Sequence, residues 1–240
     1  MKYLALTFAT TYACWGGLAV LTQFAILEFS HPIAVVLHML GGFAPPAAAL
    51  CVLDGKISTK RLASVFFEGG WKGFLCCLAF ALTEILTIGL SSMEINPAMT
   101  PAAVPIVFIQ AVFIYGGNEE LGWRGVMQPL LERRFSFSAA SLITGVVWSV
   151  WHLPLWFVNG ASQQNLSFVL FLMLGILLSF FFAAVYKRTR SVFYCALLHG
   201  LTNTLLSVFV IKVNWALITG LVLMLAISVY LGHSTEKQPT

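Results

Sequence analysis

Charge is what this chain has least of. Asp, Glu, Lys and Arg together make up 9% of its 240 residues, while 59% are hydrophobic. An ordinary soluble domain carries about a quarter of its residues as charges, so a soluble fold is excluded and the chain reads as an integral membrane protein. The cysteines are few as well: Cys14, Cys51, Cys76, Cys77 and Cys195 are odd in number, lie in apolar runs and form no C-x-x-C pair. Neither a disulfide framework nor a thiolate zinc site follows from them, and core packing is their expected role. The helical zinc-protease signature H-E-x-x-H is absent, as is any internal repeat of the transporter kind. Nothing suggests nucleic-acid binding. The first apolar run, from Tyr3 to about Leu27, is longer than a signal-peptide core and no polar mature segment follows it, so it reads as a span.

Apolar runs fill nearly the whole remainder. A bilayer core of roughly 30 Å takes about 20 apolar residues per spanning helix, which places spans near 3–27, 32–53, 73–90, 101–131, 138–158, 166–186, 192–211 and 214–232. The expected fold is all-α: one integral membrane domain, residues 1–240, a polytopic bundle of about eight transmembrane helices. Pro45-Pro46 should kink the second span, and neighbouring helices must then satisfy the freed backbone groups. Between spans two and three, Ile57 to Trp71 sets basic residues among Leu62, Val65, Phe66 and Phe67 at roughly helical spacing, which fits an amphipathic surface helix or a plain basic loop.

The loops alternate in charge. Lys2, then Lys56, Lys60, Arg61 and Lys72, then Arg133 and Arg134, then Lys187, Arg188 and Arg190, and finally Lys237 mark one side. The loops around Glu28 to His31, Ser91 to Thr100 and Asn159 to Asn165 hold no Lys or Arg, and the last such loop holds only Lys212. Because cationic loops stay on the cytoplasmic side, both termini are expected in the cytoplasm, in what reads as a bacterial plasma membrane protein.

Three fragments put ionisable groups where unpaired charge is costly. The first is Glu119-Glu120-Leu121-Gly122-Trp123-Arg124, which follows the apolar stretch Pro101 to Tyr115 and the Gly116-Gly117-Asn118 link, on a helix expected to run on to about Leu131. Glu120 and Arg124 are four apart with Glu on the N-terminal side, the favourable order for an ion pair on one helix face, while Glu119 projects about 100° away. Glu119 is then free for chemistry, because desolvation tunes a carboxyl toward the pKa a general base needs. A solvated helix end is the bland alternative. The second fragment, Trp148-Ser149-Val150-Trp151-His152, puts an aromatic ring one turn before a histidine, which suits either a held catalyst or a satisfied interfacial residue. In the third, His199 and Asn203 share a helix face, so both can donate to one oxygen as oxyanion stabilisation requires, or simply join two helices. Glu84 and His38, also in apolar runs, read as satisfied structural residues, although Glu84 can also line a cavity.

Taken in order, Glu119-Glu120-x-x-x-Arg124, Trp148-x-x-x-His152 and His199-x-x-x-Asn203 resemble the three motifs of the CPBP family of intramembrane proteases, once called Abi proteins, which includes CAAX prenyl proteases and bacteriocin-processing enzymes. The likeness runs from about Gly116 to Asn203, inside a motif-bearing core of about 101–211. One position departs: the family's second motif usually opens with Phe, where this chain has Trp148, which keeps an aromatic wall. The resemblance implies that Glu119 and His152 activate a water, that His199 and Asn203 hold the oxyanion, and that Glu120 with Arg124 supports them. The role of His152 rests chiefly on the resemblance.

The expected function is therefore an intramembrane endopeptidase acting on a peptide or membrane-protein substrate within the lipid bilayer. A prenylated CAAX-type sequence, a bacteriocin leader or another membrane-associated peptide all fit. A proton-coupled transporter using the same Glu and His residues as a relay, or a non-enzymatic immunity or scaffold protein, are the other classes. No cofactor is expected. Zinc held by Glu119, His152 and His199 is the alternative, and Asn203 argues against it, being a poor zinc ligand but a good oxyanion donor.

Overall fold

The computed structural model describes residues 2–53, 63, 65–92 and 94–234. It is helical almost throughout, and no strand occurs among the described residues. Helix α1 (Lys2–Gln23) packs against α2 (Pro32–Gly42) and α3 (Ala44–Val52), two helices that meet at 42°. The bend at Phe43 comes where the sequence places it. Pro45 and Pro46 occupy the first turn of α3, where a missing N–H breaks no helical bond. Two side chains of α1 take up carbonyls beside the break: Trp15 Nε1 donates to His38 O at 2.8 Å and Thr11 Oγ1 to Gly41 O at 2.8 Å. That is the internal satisfaction of backbone groups that a membrane interior demands.

Helix α4 (Gly70–Ser91) leads through a loop to α5 (Val104–Phe113), and after Tyr115 the expected single long helix breaks up. A 3-10 turn at Gly117–Glu119 runs into α6 (Glu120–Gly122), a π-helical turn at Trp123–Met127 and α7 (Gln128–Glu132). The expectation of one continuous helix to about Leu131 is thereby corrected: the acidic pair sits on a stretch whose helical pitch changes three times, and π turns concentrate at functional sites. Polar bonds from α8 (Phe137–Trp151) hold this stretch, with Thr144 Oγ1 donating to Gln128 Oε1 at 2.8 Å and Gln128 Nε2 to Ser141 Oγ at 3.2 Å.

A 3-10 turn at Leu153–Phe157 ends the α8 span. Then come α9 (Phe168–Thr189), α10 (Val192–Val208) and α11 (Trp215–His233). The core is densest between α8 and α9, where a Cβ on Gly145 would strike the α9 backbone and one on Gly175 would strike Ser149. Small residues at such contacts let helices in lipid approach closely. Phe181, Phe182 and Val185 of α9 are fully buried there, whereas Leu86, Leu90, Ile106 and Val169 turn outward as a lipid-facing surface should.

Among the described residues six helical segments are long and apolar enough to cross a membrane, the bent α2–α3 pair makes a seventh, and α10, at 17 residues, is a shorter apolar helix. These correspond one for one to the eight expected spans, and the chain is a multi-pass integral membrane protein. Cys77 and Cys195 are buried packing residues as expected, but Cys51 is exposed. Residues 57–62 and 64 of the surface helix expected over Ile57 to Trp71 lie outside the described residues, as does Lys237.

Candidate active site

The break in the chain after α5 is what makes the site. Gly116 has φ +131°, a conformation that L side chains rarely adopt, and its N–H is held by Asn118 Oδ1 at 3.1 Å. This turn points Glu119 and Glu120 in different directions from the foot of α5. Both carboxylates are buried, and their partners differ in kind.

Glu120 is the structural one. Its Oε1 accepts from Arg124 at 2.9 Å and faces His199 Nδ1 at 2.8 Å, with Glu120 and Arg124 fully buried. The guanidinium also lies between two rings, 5.4 Å from the Trp148 centroid and 5.0 Å from that of Phe182, so cation–π attraction adds to the ion pair. The other ring nitrogen of His199, Nε2, is thus left for something else, and stacking on Phe182 at 5.0 Å fixes the plane of the imidazole.

Glu119 is held by two indoles rather than by a cation. Trp148 Nε1 donates to Oε2 at 2.7 Å and Trp123 Nε1 to the same oxygen at 3.2 Å. Among the described residues no donor reaches Oε1, which leaves one carboxylate oxygen for chemistry. Trp148 was read from the sequence only as a wall for His152. It is that, at 5.6 Å between centroids, but its N–H toward Glu119 is a contribution a Phe at this position lacks.

His152 stands at the C-terminal end of α8, half-buried, with Nδ1 bonded to Trp148 O at 2.9 Å. A carbonyl can only accept, so Nδ1 carries the proton and the lone pair of the neutral ring is on Nε2. Asn203, also half-buried, uses one amide N–H on Tyr115 O at 2.6 Å and keeps a second. A Cβ added to Gly116 would fall 2.7 Å from His199 Nε2 and closer still to Asn203 Nδ2. Both side chains therefore close on the Cα of Gly116, an approach that only a glycine permits.

Gly116 is a site residue that sequence reasoning passed over, although the Gly-Gly-Asn run was its visible signal. Contributions from α1 and α2 were not legible at all. Trp151 packs against Trp15 at 4.7 Å and gives its Nε1 proton to Thr11 at 2.7 Å, Trp15 lies 5.9 Å from His152, and Tyr3 meets Trp123 at 5.8 Å. Glu84 joins α4 to α10 through Thr202 Oγ1 at 2.5 Å, so it is bonded to a neighbouring helix.

The arrangement thus gathers a carboxylate held by two indoles, an imidazole bonded through Nδ1 to a backbone carbonyl, and His199 and Asn203 side by side against Gly116. A family model described as type II CAAX prenyl endopeptidase, Rce1-like, matches residues 101–205, a stretch that contains all three motifs. The CAAX prenyl protease 2 of Methanococcus maripaludis is 26% identical, over 95% of this chain and 92% of the relative. The chain is an intramembrane protease similar to the CAAX prenyl proteases of the CPBP family. In this protease the likeness to the relative extends well beyond the motifs, across α1 to α4, the part of the sequence in which no motif was found. The aromatic contacts that α1 makes with Trp123, Trp151 and His152 give those helices a place in the site as well as in the fold.

Proposed function

We infer that this protease cleaves a peptide bond with a water activated by Glu119 and His152, and that His199 and Asn203 bind the oxyanion. The observation that carries the reading is the convergence of His199 Nε2 and the Asn203 amide on Gly116, three residues before a Glu119 pinned through one oxygen by two indoles. A water between Glu119 Oε1 and His152 Nε2 gives its proton to Glu119 as its oxygen attacks the carbonyl. The tetrahedral oxyanion takes N–H from His199 and Asn203, and on collapse Glu119 returns the proton to the leaving amine. While its Nδ1–H points at Glu120, His199 can donate from Nε2 only as a doubly protonated ring, and Glu120 faces the charge that this ring carries.

The mechanism is proposed to need no metal. A zinc site would require Glu119, His152 and His199 to converge on one ion, and no three His, Cys, Asp or Glu side chains do so among the described residues.

A C-terminal prenylated peptide of the CAAX type is the substrate class we favour over a bacteriocin leader. The names of the matching family and of the relative point that way. An apolar recess of about 250 Å³, lined by Tyr12, Gly16, Ala19, Leu153, Pro154 and Phe157, begins one residue past His152 and offers room to part of an isoprenoid chain.

The decisive experiment compares wild-type and Glu119→Gln protein on a farnesylated CAAX peptide in detergent or nanodiscs. Cleavage is expected to vanish in the variant with melting unchanged, and chelators are expected to leave wild-type cleavage intact. Full cleavage by Glu119→Gln would overturn the role of Glu119. Stoichiometric zinc, with activity lost on chelation and regained on adding zinc back, would move Glu119, His152 and His199 into ligand roles.

A further inference from the structure

His38 is an imidazole in the apolar middle of α2 that neither the motifs nor the proposed chemistry uses. It is half-buried, and among the described residues no hydrogen bond is made to either of its ring nitrogens. Three aromatic rings lie against it: Trp15 at 5.8 Å and nearly parallel, Phe29 edge-on at 5.5 Å, and Tyr115 at 6.1 Å. Two of those neighbours belong to the site. Trp15 also contacts His152, at 5.9 Å, and Tyr115 is the residue whose carbonyl holds Asn203. His38 therefore shares two ring neighbours with the site, Trp15 with His152 and Tyr115 with Asn203, from a helix outside the motif-bearing stretch.

Each of the other ionisable groups at the site has a protein partner on at least one atom, although Arg124 Nε and Nη2 are buried without one. Arg124 and His199 Nδ1 both serve Glu120, and His152 Nδ1 serves a backbone carbonyl. Yet an N–H group in an apolar aromatic pocket is costly if left unmatched, and a substrate that ends near its scissile bond brings a carboxylate into this same apolar space with the same need for a partner.

We propose that His38 is a substrate-binding residue that receives the C-terminal carboxylate of the peptide, donating from a ring nitrogen that no protein group occupies. The assignment rests on the reading of the chain as a protease of C-terminal peptides. Flat aromatic walls on Trp15, Phe29 and Tyr115 hold the ring in place, and the free carboxylate completes the one side left open to it. His38 would then select substrates by where they end, separately from the groups that break the bond.

Binding and turnover test the two readings apart. A pair of farnesylated peptides, identical except for a C-terminal carboxylate or amide, is titrated into Glu119→Gln protein, with and without His38→Phe, and affinity is read by fluorescence anisotropy. The carboxylate peptide is expected to bind about tenfold more tightly than the amide, as for a hydrogen bond to a charged group, and His38→Phe to abolish that preference while leaving amide binding unchanged. In otherwise wild-type protein, His38→Phe should raise KM for the carboxylate peptide alone and leave kcat as it was. His38→Gln, which keeps a donor, should retain part of the preference and guards against a folding defect in the Phe variant. Equal binding of the two peptides to protein with His38 intact, or an undiminished preference in a folded His38→Phe protein, overturns the proposal and leaves the protease reading standing. Absence of Glu119-dependent cleavage of either peptide by wild type defeats the protease reading itself.

Discussion

The floor and the rim of the site are built on opposite plans. At the floor, Glu120, Arg124, Glu119 and His199 are buried and tied to one another or to indoles and rings by bonds of 2.7 to 3.2 Å. At the rim, His152, Asn203, Tyr115 and His38 are at least partly exposed, and each keeps polar atoms uncommitted to protein. A buried ion pair is a poor source of stability by itself but a severe loss when broken, which suits a group whose task is to hold position. The rim, with those atoms uncommitted, can reach a substrate without first giving up internal bonds. Depth thus separates positioning from reception, and each substitution below tests that division.

The strongest break is at the floor. Arg124→Ala leaves Glu120 buried beside His199 with no guanidinium, and the cost is expected to be about 3–5 kcal/mol. Thermal melting of the purified protein should fall markedly and activity with it; unchanged melting with full activity would show that the pair contributes nothing to the fold.

At the rim, Asn203→Ala removes one of the two proposed oxyanion donors and also frees Tyr115 O. Turnover is expected to drop by about 10²–10³-fold, the range for loss of such a donor, with substrate affinity and melting little changed. A loss confined to KM would place Asn203 in binding instead.

Trp148→Phe sharpens the boundary, because the ring remains against Arg124 and His152 while the 2.7 Å bond to Glu119 disappears. Trp123 still holds the carboxylate, so kcat should fall only by about tenfold, in line with the worth of one charge-assisted hydrogen bond. Wild-type kcat in this variant would show that the indole N–H is dispensable.

The mildest test changes no activity at all and asks which membrane face the rim approaches. From the alternation of basic and charge-free loops, a reporter active only in the cytoplasm should work when fused after Arg134 or Arg190 and fail near Asn96 or Gln163. Reversed signals at two or more sites would turn the bundle over and bring the rim end toward the cytoplasm.

How much of this was legible beforehand depended on distance along the chain. The pairing of Glu120 with Arg124 and the packing of Trp148 on His152 both lie within four residues on one helix, and helical geometry alone brings such positions together. The kink at Pro45-Pro46 was equally local, since the cause sits in the proline ring. The break after Tyr115 was less so: glycines marked the place, but the pitch changes that follow depend on bonds from Thr144 and Ser141 of another helix.

By itself the sequence determined that the chain is a helical membrane bundle, because 59% hydrophobic residues with 9% charge admits no other stable setting, and it named the motif residues through their spacing. Only the tertiary structure decided how those residues are divided. Glu119 receives an indole from 29 positions away, Glu120 meets His199 across 79, and Trp151 is anchored to Thr11 across 140. Contacts of that range are set by which helix faces pack together, and no local periodicity encodes them. The approach of His199 and Asn203 to Gly116 and the open ring of His38 are products of that packing.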